Sequence, residues 1–214
     1  NWLRDELAAG LADQCNIIVR DNCSTDDTRQ VVELWKATID PAIDFTYYRH
    51  EKNIGGMANI VSCINHAPGR FVWTLGDDDP IEKGTVADIL DHIKAHPNLG
   101  VILLNGHGRD MNTRKIKIKQ WFHKTVDNPG PVSADDFNYF LVHNSGGILF
   151  ISSAIYRTEL AQEALLAWPH SERNLAAQMF WVGYCAARAE FIITSKLYTE
   201  CAMGIGFTDK DPQW

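Results

Sequence analysis

The amino-acid sequence predicts an α/β domain built on a mostly parallel sheet with helices on both faces. Three observations carry that expectation. Strand and helix signals alternate along the first half of the chain instead of segregating. The strand-like runs are short, apolar and end in turn residues, as buried strands do. The residues suited to chemistry gather where those strands end, which is where open α/β sheets bind ligands. A chain of 214 residues suits one such domain and is short for two.

Asn16–Asp21 (NIIVRD) reads as a buried strand. Ser24–Thr38 reads as a helix with Val31, Val32, Leu34 and Trp35 as its apolar residues, and Ser24 and Asp27 are spaced like a capping box. Asp44–Arg49 is aromatic and extended, and Met57–Ala67 is helical by period. Arg70–Leu75 (RFVWTL) is a third strand. Glu82–Ala95 is a third helix, striped by Val86, Ile89, Leu90 and Ile93, and Gly100–Asn105 is a fourth strand. Lys115–Lys119 (KIKIK) then alternates as a half-exposed strand does. Ser133–Asp136 begins a helix with Phe137, Phe140 and Leu141 on one face. Ser153–Trp168 and Asn174–Ala187 read as further helices, and Phe191–Ser195 as a last strand. The chain opens on Trp2, Leu3, Leu7 and Leu11, an amphipathic helical pattern with no strand before it. Sheets of this kind open on a strand, so the expectation is a first strand missing from this chain.

Composition narrows the function. Apolar residues make up 45% and charged residues 22%, a globular balance. The net charge of -7 argues against a nucleic-acid partner. No apolar run is long enough to span a membrane, and Asn1–Asp13 has no signal-peptide pattern. Five cysteines at 15, 23, 63, 185 and 201 show no C-x-x-C spacing, which suits reduced thiols and a cytoplasmic location.

Three constellations could carry chemistry. Asp77, Asp78 and Asp79 follow an apolar strand and precede Pro80. Three adjacent carboxylates repel one another, and oxygen ligands on a loop suit Mg²⁺ or Mn²⁺. The alternative is a solvated acidic turn at a helix start. Asp21, in the turn DNCSTDDT, is placed to accept a hydrogen bond from a base or ribose, or simply to build the turn. Asn53, Gly55 and Gly56 open a helix, where glycine admits close approach and free amides favour phosphate; turn geometry alone would also explain them. No Walker-type phosphate loop, dinucleotide fingerprint or G-x-S-x-G elbow is present.

Together, VRDNCSTDDT, RHEKNIGGMANI and GRFVWTLGDDDPIEKGTV resemble the core of a family 2 glycosyltransferase with the GT-A fold. The LGDDD form and the later GILFISSAIYR are most similar to bacterial transferases that add sugars, often deoxyhexoses, to surface polysaccharides. The resemblance implies that residues 1–105 form the nucleotide-sugar half, and residues 106–214 the acceptor half, of one domain. It implies a base contact for Asp21 and a metal motif in Asp77–Asp79, with Asp78 near the ribose, Asp79 on the metal and Asp77 assisting. Gly76 stands where many members carry the motif's first aspartate. An inverting transfer to a glycan or lipid-linked hydroxyl, with a carboxylate base from the second half, is the implied chemistry.

The resemblance favours Glu172 as the base, since it lies in a turn before a long helix, where the family's base tends to lie; an exposed carboxylate at a helix start is the alternative, and Asp135, Asp136 and His170 are the other candidates. His143, Asn144 and the glycines after them would line the acceptor side, or merely end a helix. Arg114, Lys115, Lys117, Lys119 and Lys124 would touch an anionic lipid surface at the inner face of the membrane, or blunt an edge strand. Two other readings stay open at this point: a metal-dependent sugar nucleotidyltransferase, and a non-catalytic nucleotide-sugar or glycan-binding module.

Overall fold

A computed structural model describes residues 6–7, 11–129 and 134–204. Its strands are β1 (Asn16–Asp21), β2 (Asp44–Arg49), β3 (Phe71–Trp73), β4 (Leu99–Asp110), β5 (Ile116–Ile118), β6 (Ala154–Arg157) and β7 (Glu190–Met203). Its helices are α1 (Thr28–Lys36), α2 (Gly56–Asn65), α3 (Thr85–Ala95), α4 (Ala134–His143), α5 (Ser145–Leu149), α6 (Thr158–Ala167) and α7 (Ala177–Ala186). Three-residue 3-10 turns at Ile151–Ser153 and Ser171–Arg173 complete the part that matters for function.

The strands form two sheets. β1 and β2 pair in parallel, Asn16 beside Asp44 through Asp21 beside Arg49. The larger sheet has the order β3-β6-β4-β5, with β7 along the other edge of β4. The parallel expectation holds for β1 with β2 and for β4 with β7, whereas β5 and β6 pair antiparallel to their neighbours. The physical reason lies in β6. Ala154–Arg157 was expected to begin a helix, yet its Ile155 and Tyr156 face opposite sides of the sheet and fill both cores. Burial on two faces overrides the local helical pattern. β3, β4 and β7 still run in one direction, so their carboxyl ends share one edge.

Helices cover both faces. α2, α6 and α7 pack on the side of Val101, Leu103, Tyr156 and Phe191, around the fully buried Trp181. α3 covers Ile102, Leu104, Ile155 and Ile192 on the other. A third cluster, with Leu7, Ile39, Ile43, Ile81 and Val86, joins the small sheet to the loop before α3. On α7 the aromatic residues Trp181, Phe180 and Tyr184 are used for packing: the Trp181 indole donates to Ser171 Oγ, and Phe180 meets Trp168 edge-on and Tyr184 at a tilt.

Several boundaries differ from expectation. α1 begins at Thr28, and Ser24 makes no cap; Asp26 Oδ1 instead accepts from the Thr28 N–H and hydroxyl. β7 runs eight residues beyond Ser195, because β4 offers it a partner along its whole length. Ser133 and most of the N-terminal amphipathic segment lie outside the described residues; Leu7, which is described, is buried. No helix among the described residues is long and apolar enough to cross a membrane.

Candidate active site

The triple aspartate lies just past β3, at the edge where β3, β4 and β7 end. The segment after it returns beside β7, with Glu200 N–H donating to Pro80 O and Ile81 bridging Thr199. This places Asp79 against the end of β7. Asp77 and Asp78 are exposed, while Asp79 is only 9% exposed. Ser152 Oγ donates to Asp79 Oδ2 at 2.6 Å, and the nearby Ala202 backbone amide favours the charged form of the same carboxylate.

Electrostatics mark this loop. Burial pushes the Asp79 carboxyl up to about 6; the Ser152 hydrogen bond opposes that rise and the neighbouring Asp78 charge adds to it. Partial loss of solvent around its carboxyl and the Asp77 charge also raise Asp78 above its ordinary value. Cys201 is pushed up to about 12 by burial and by the Asp79 and Asp78 charges, so its thiol stays protonated. Among the described residues, no ion pair reaches Asp77, Asp78 or Asp79. No cationic side chain among the described residues pairs with the loop to offset its negative charge.

Whether a cation fits can be judged at Gly76. A Cβ there would sit 2.6 Å from Asp79 Oδ2 and 3.3 Å from Asp78 Oδ1. Two carboxylates therefore border one small space beside Gly76, and a side chain at this position would have to displace them. Among the described residues, no group of three or more His, Cys, Asp and Glu side chains could hold a metal by itself. A one- or two-carboxylate set suits Mg²⁺ or Mn²⁺ that takes its remaining ligands from water and substrate phosphates. On that donor chemistry the residues fit.

Two further loops carry the Asp21 and Asn53 candidates. Asp21 ends β1 with its carboxylate buried. Oδ1 accepts from Ser24 N–H at 2.7 Å, and Oδ2 accepts from Tyr47 Oη at 2.7 Å and faces Arg49 Nε at 3.3 Å. Burial alone would raise this carboxyl, but the Ser24 and Tyr47 hydrogen bonds and the Arg49 charge hold it below its ordinary value. Asn22 bridges to the next loop: its Oδ1 accepts from Ile54 N–H and its Nδ2 donates to Asn53 Oδ1. Asn53 Oδ1 also accepts from Gly55 N–H. Gly55 has φ +90, a backbone state that favours glycine, and it turns the chain into α2. Asn59, on the first turns of α2, donates to Arg20 O. Asp21, Asn53, Gly55 and Gly56 are thus brought together.

The acceptor-side candidates are more dispersed. Glu172 sits in the 3-10 turn that packs against α2, its side chain 27% exposed, with Arg173 Nε at 3.6 Å and His170 Nδ1 at 4.0 Å. His143 ends α4, where its ring lies on Tyr139 and its Nδ1 donates to Tyr139 O. Asn144 is buried and its Oδ1 accepts from His123 N–H. Gly147 makes room for Phe122 and Trp121, which a Cβ would meet at 2.7 and 2.9 Å, and not for a sugar.

Sequence reasoning missed Ser152, Tyr47 and Arg49. The alternation along β2 places Tyr47 and Arg49 on one face, and the parallel register sets Arg49 beside Asp21, so those two had a usable signal. Ser152 had none.

The description of Glycosyl transferase family 2 matches residues 5–163. Abequosyltransferase RfbV of Salmonella typhimurium is 26% identical over 83 residues, which is 39% of this chain and 24% of that protein. Poly(ribitol-phosphate) beta-N-acetylglucosaminyltransferase TarS of Staphylococcus aureus is 26% identical over 185 residues, 85% of this chain. This chain spans only 29% of TarS. A crystal structure of TarS superposes with TM-score 0.63 at 25% identity, covering 92% of this chain and 56% of that one. The mannosyltransferase PcManGT of Pyrobaculum calidifontis, solved with GDP-Man and Mn²⁺, shares the fold at TM-score 0.58 and 16% identity, covering 95% of this chain and 52% of that one. The fold is the GT-A fold, and the chain belongs to glycosyl transferase family 2.

Proposed function

We propose that this chain moves a sugar from a nucleotide-sugar donor to a hydroxyl of a glycan or lipid-linked acceptor, with inversion, in bacterial polysaccharide synthesis. The observation that carries the reading is the Asp77–Asp79 loop, where the Asp78 and Asp79 carboxylates converge over Gly76 beside the end of β7. Relatives named as abequosyl- and N-acetylglucosaminyltransferases support the substrate class, as does a TarS structure in complex with UDP.

Asp21, with Asn53, Gly55 and Gly56, receives the nucleotide, the free amides of α2 favouring its phosphates. Asp78 takes the ribose side, and Asp79 with Asp77 would hold Mn²⁺ or Mg²⁺. A bound divalent cation supplies charge stabilisation for the departing diphosphate. Glu172 takes the proton of the acceptor hydroxyl as its oxygen bonds to the anomeric carbon and the bond to the diphosphate breaks. The acceptor lies on the side of His143, Asn144 and His170. The exposed Lys115, Lys117 and Lys119 along edge strand β5 suit peripheral contact with an anionic membrane face, where a lipid-linked acceptor would sit.

The test is incubation with a panel of nucleotide sugars and Mn²⁺, reading release of nucleoside diphosphate. Release should be lost in Asp79→Ala and strongly reduced in Glu172→Gln. Near-normal turnover in Asp79→Ala would remove the metal assignment. Pyrophosphate release from a nucleoside triphosphate and a sugar phosphate would instead establish a nucleotidyltransferase.

A further inference from the structure

Asp79 is not oriented by its own loop alone. Ser152, fully buried in the 3-10 turn Ile151–Ser153, reaches it across 73 positions of sequence. Its hydroxyl accepts from the Gly76 N–H at 2.8 Å and donates to Asp79 Oδ2 at 2.6 Å. A hydroxyl has one proton to give. With the Gly76 amide already on its oxygen, that proton is directed at Asp79. The same serine therefore fixes both the glycine that keeps the space open and the carboxylate that borders it.

Ser152 is itself held in place. Its carbonyl accepts from the Trp73 indole at 2.9 Å, and the Ile151 carbonyl faces the Thr74 hydroxyl at 3.4 Å. The turn is thus tied to the end of β3 immediately before the aspartates. We propose that Ser152 is a positioning residue for the divalent cation, setting which way the Asp79 carboxylate faces. This rests on the metal reading given above. Groups behind metal ligands typically cost about ten- to hundredfold in metal affinity when removed.

A purely structural serine would behave differently, and Ser153 provides the comparison. It is adjacent and equally buried, but its hydroxyl donates to the Gly147 carbonyl at 2.8 Å and not to an aspartate. Mn²⁺ alone is titrated into the wild-type chain, Ser152→Ala and Ser153→Ala, with free Mn²⁺ read by electron paramagnetic resonance. Thermal midpoints are taken in EDTA. Both variants should lose comparable thermal stability, while only Ser152→Ala binds Mn²⁺ about tenfold more weakly. Should Ser152→Ala fail to fold, Ser152→Cys, which keeps the volume but donates poorly, carries the same comparison. Unchanged Mn²⁺ affinity in the Ser152 variant, or equal loss in both serine variants, overturns the inference while leaving the metal reading standing. A wild-type chain that binds no Mn²⁺, either alone or with UDP or GDP present to supply phosphate oxygens, overturns the metal reading and this inference with it.

Discussion

Asp21 shows how one side chain can be both legible and misjudged. Its place at the end of an apolar run marked it as a candidate site residue, but nothing local revealed how fully the protein itself engages it. Ser24, Tyr47 and Arg49 converge on a carboxylate that is 4% exposed. Because these partners hold its pKa below the ordinary 3.8, the folded state binds this proton less readily than the unfolded state does. The stabilisation is fully present above about pH 4 and is lost as pH falls through the folded-state value. Asp21→Asn should therefore cost about 2 kcal/mol at pH 7, a typical loss for hydrogen bonds to a buried charge. The gap to wild type should narrow at pH 3, as read by urea unfolding at the two pH values. An equal gap at both would show that the carboxylate's charge contributes nothing. Ser152 is the opposite case: a serine amid apolar neighbours carries no periodic or turn signal, and its role exists only once a distant segment folds against it.

Elements were legible in proportion to how locally they are determined. β1 and β2 have the expected bounds, since apolar or aromatic runs closed by turn residues need no distant partner to be recognised. β6 and the second half of β7 were hidden because pairing with β4 creates them. The start of α3 is another non-local feature. Its first turn has no side-chain cap of its own; Glu6 supplies one from the N-terminal segment, Oε1 accepting from Gly84 N–H at 2.7 Å and Oε2 from Val86 N–H at 3.1 Å. A carboxylate on free helix amides acts as a cap regardless of where it comes from in sequence. Glu6→Ala should lower unfolding free energy by about 1–2 kcal/mol in a urea titration. A change indistinguishable from zero would mean that solvent caps this helix equally well.

The expected division at residue 105 falls inside β4, which continues to Asp110 and pairs with β7 nearly throughout. Two halves that share a strand cannot unfold separately without breaking that strand's pairing. Tryptophan fluorescence and far-UV circular dichroism should therefore report a single coincident urea transition; two resolved transitions would establish independent halves. The same topology has a temporal side. A ribosome delivers the amino end first. The three aspartates emerge into water well before Ser152, which follows Asp79 by 73 positions, and before Ala202, which follows later still. During synthesis the carboxylates exist without the groups that aim them. The nascent chain gains its acidic loop early and the loop's final geometry only when β7 has been made, so the site matures only once the strand that closes this sheet has been synthesised.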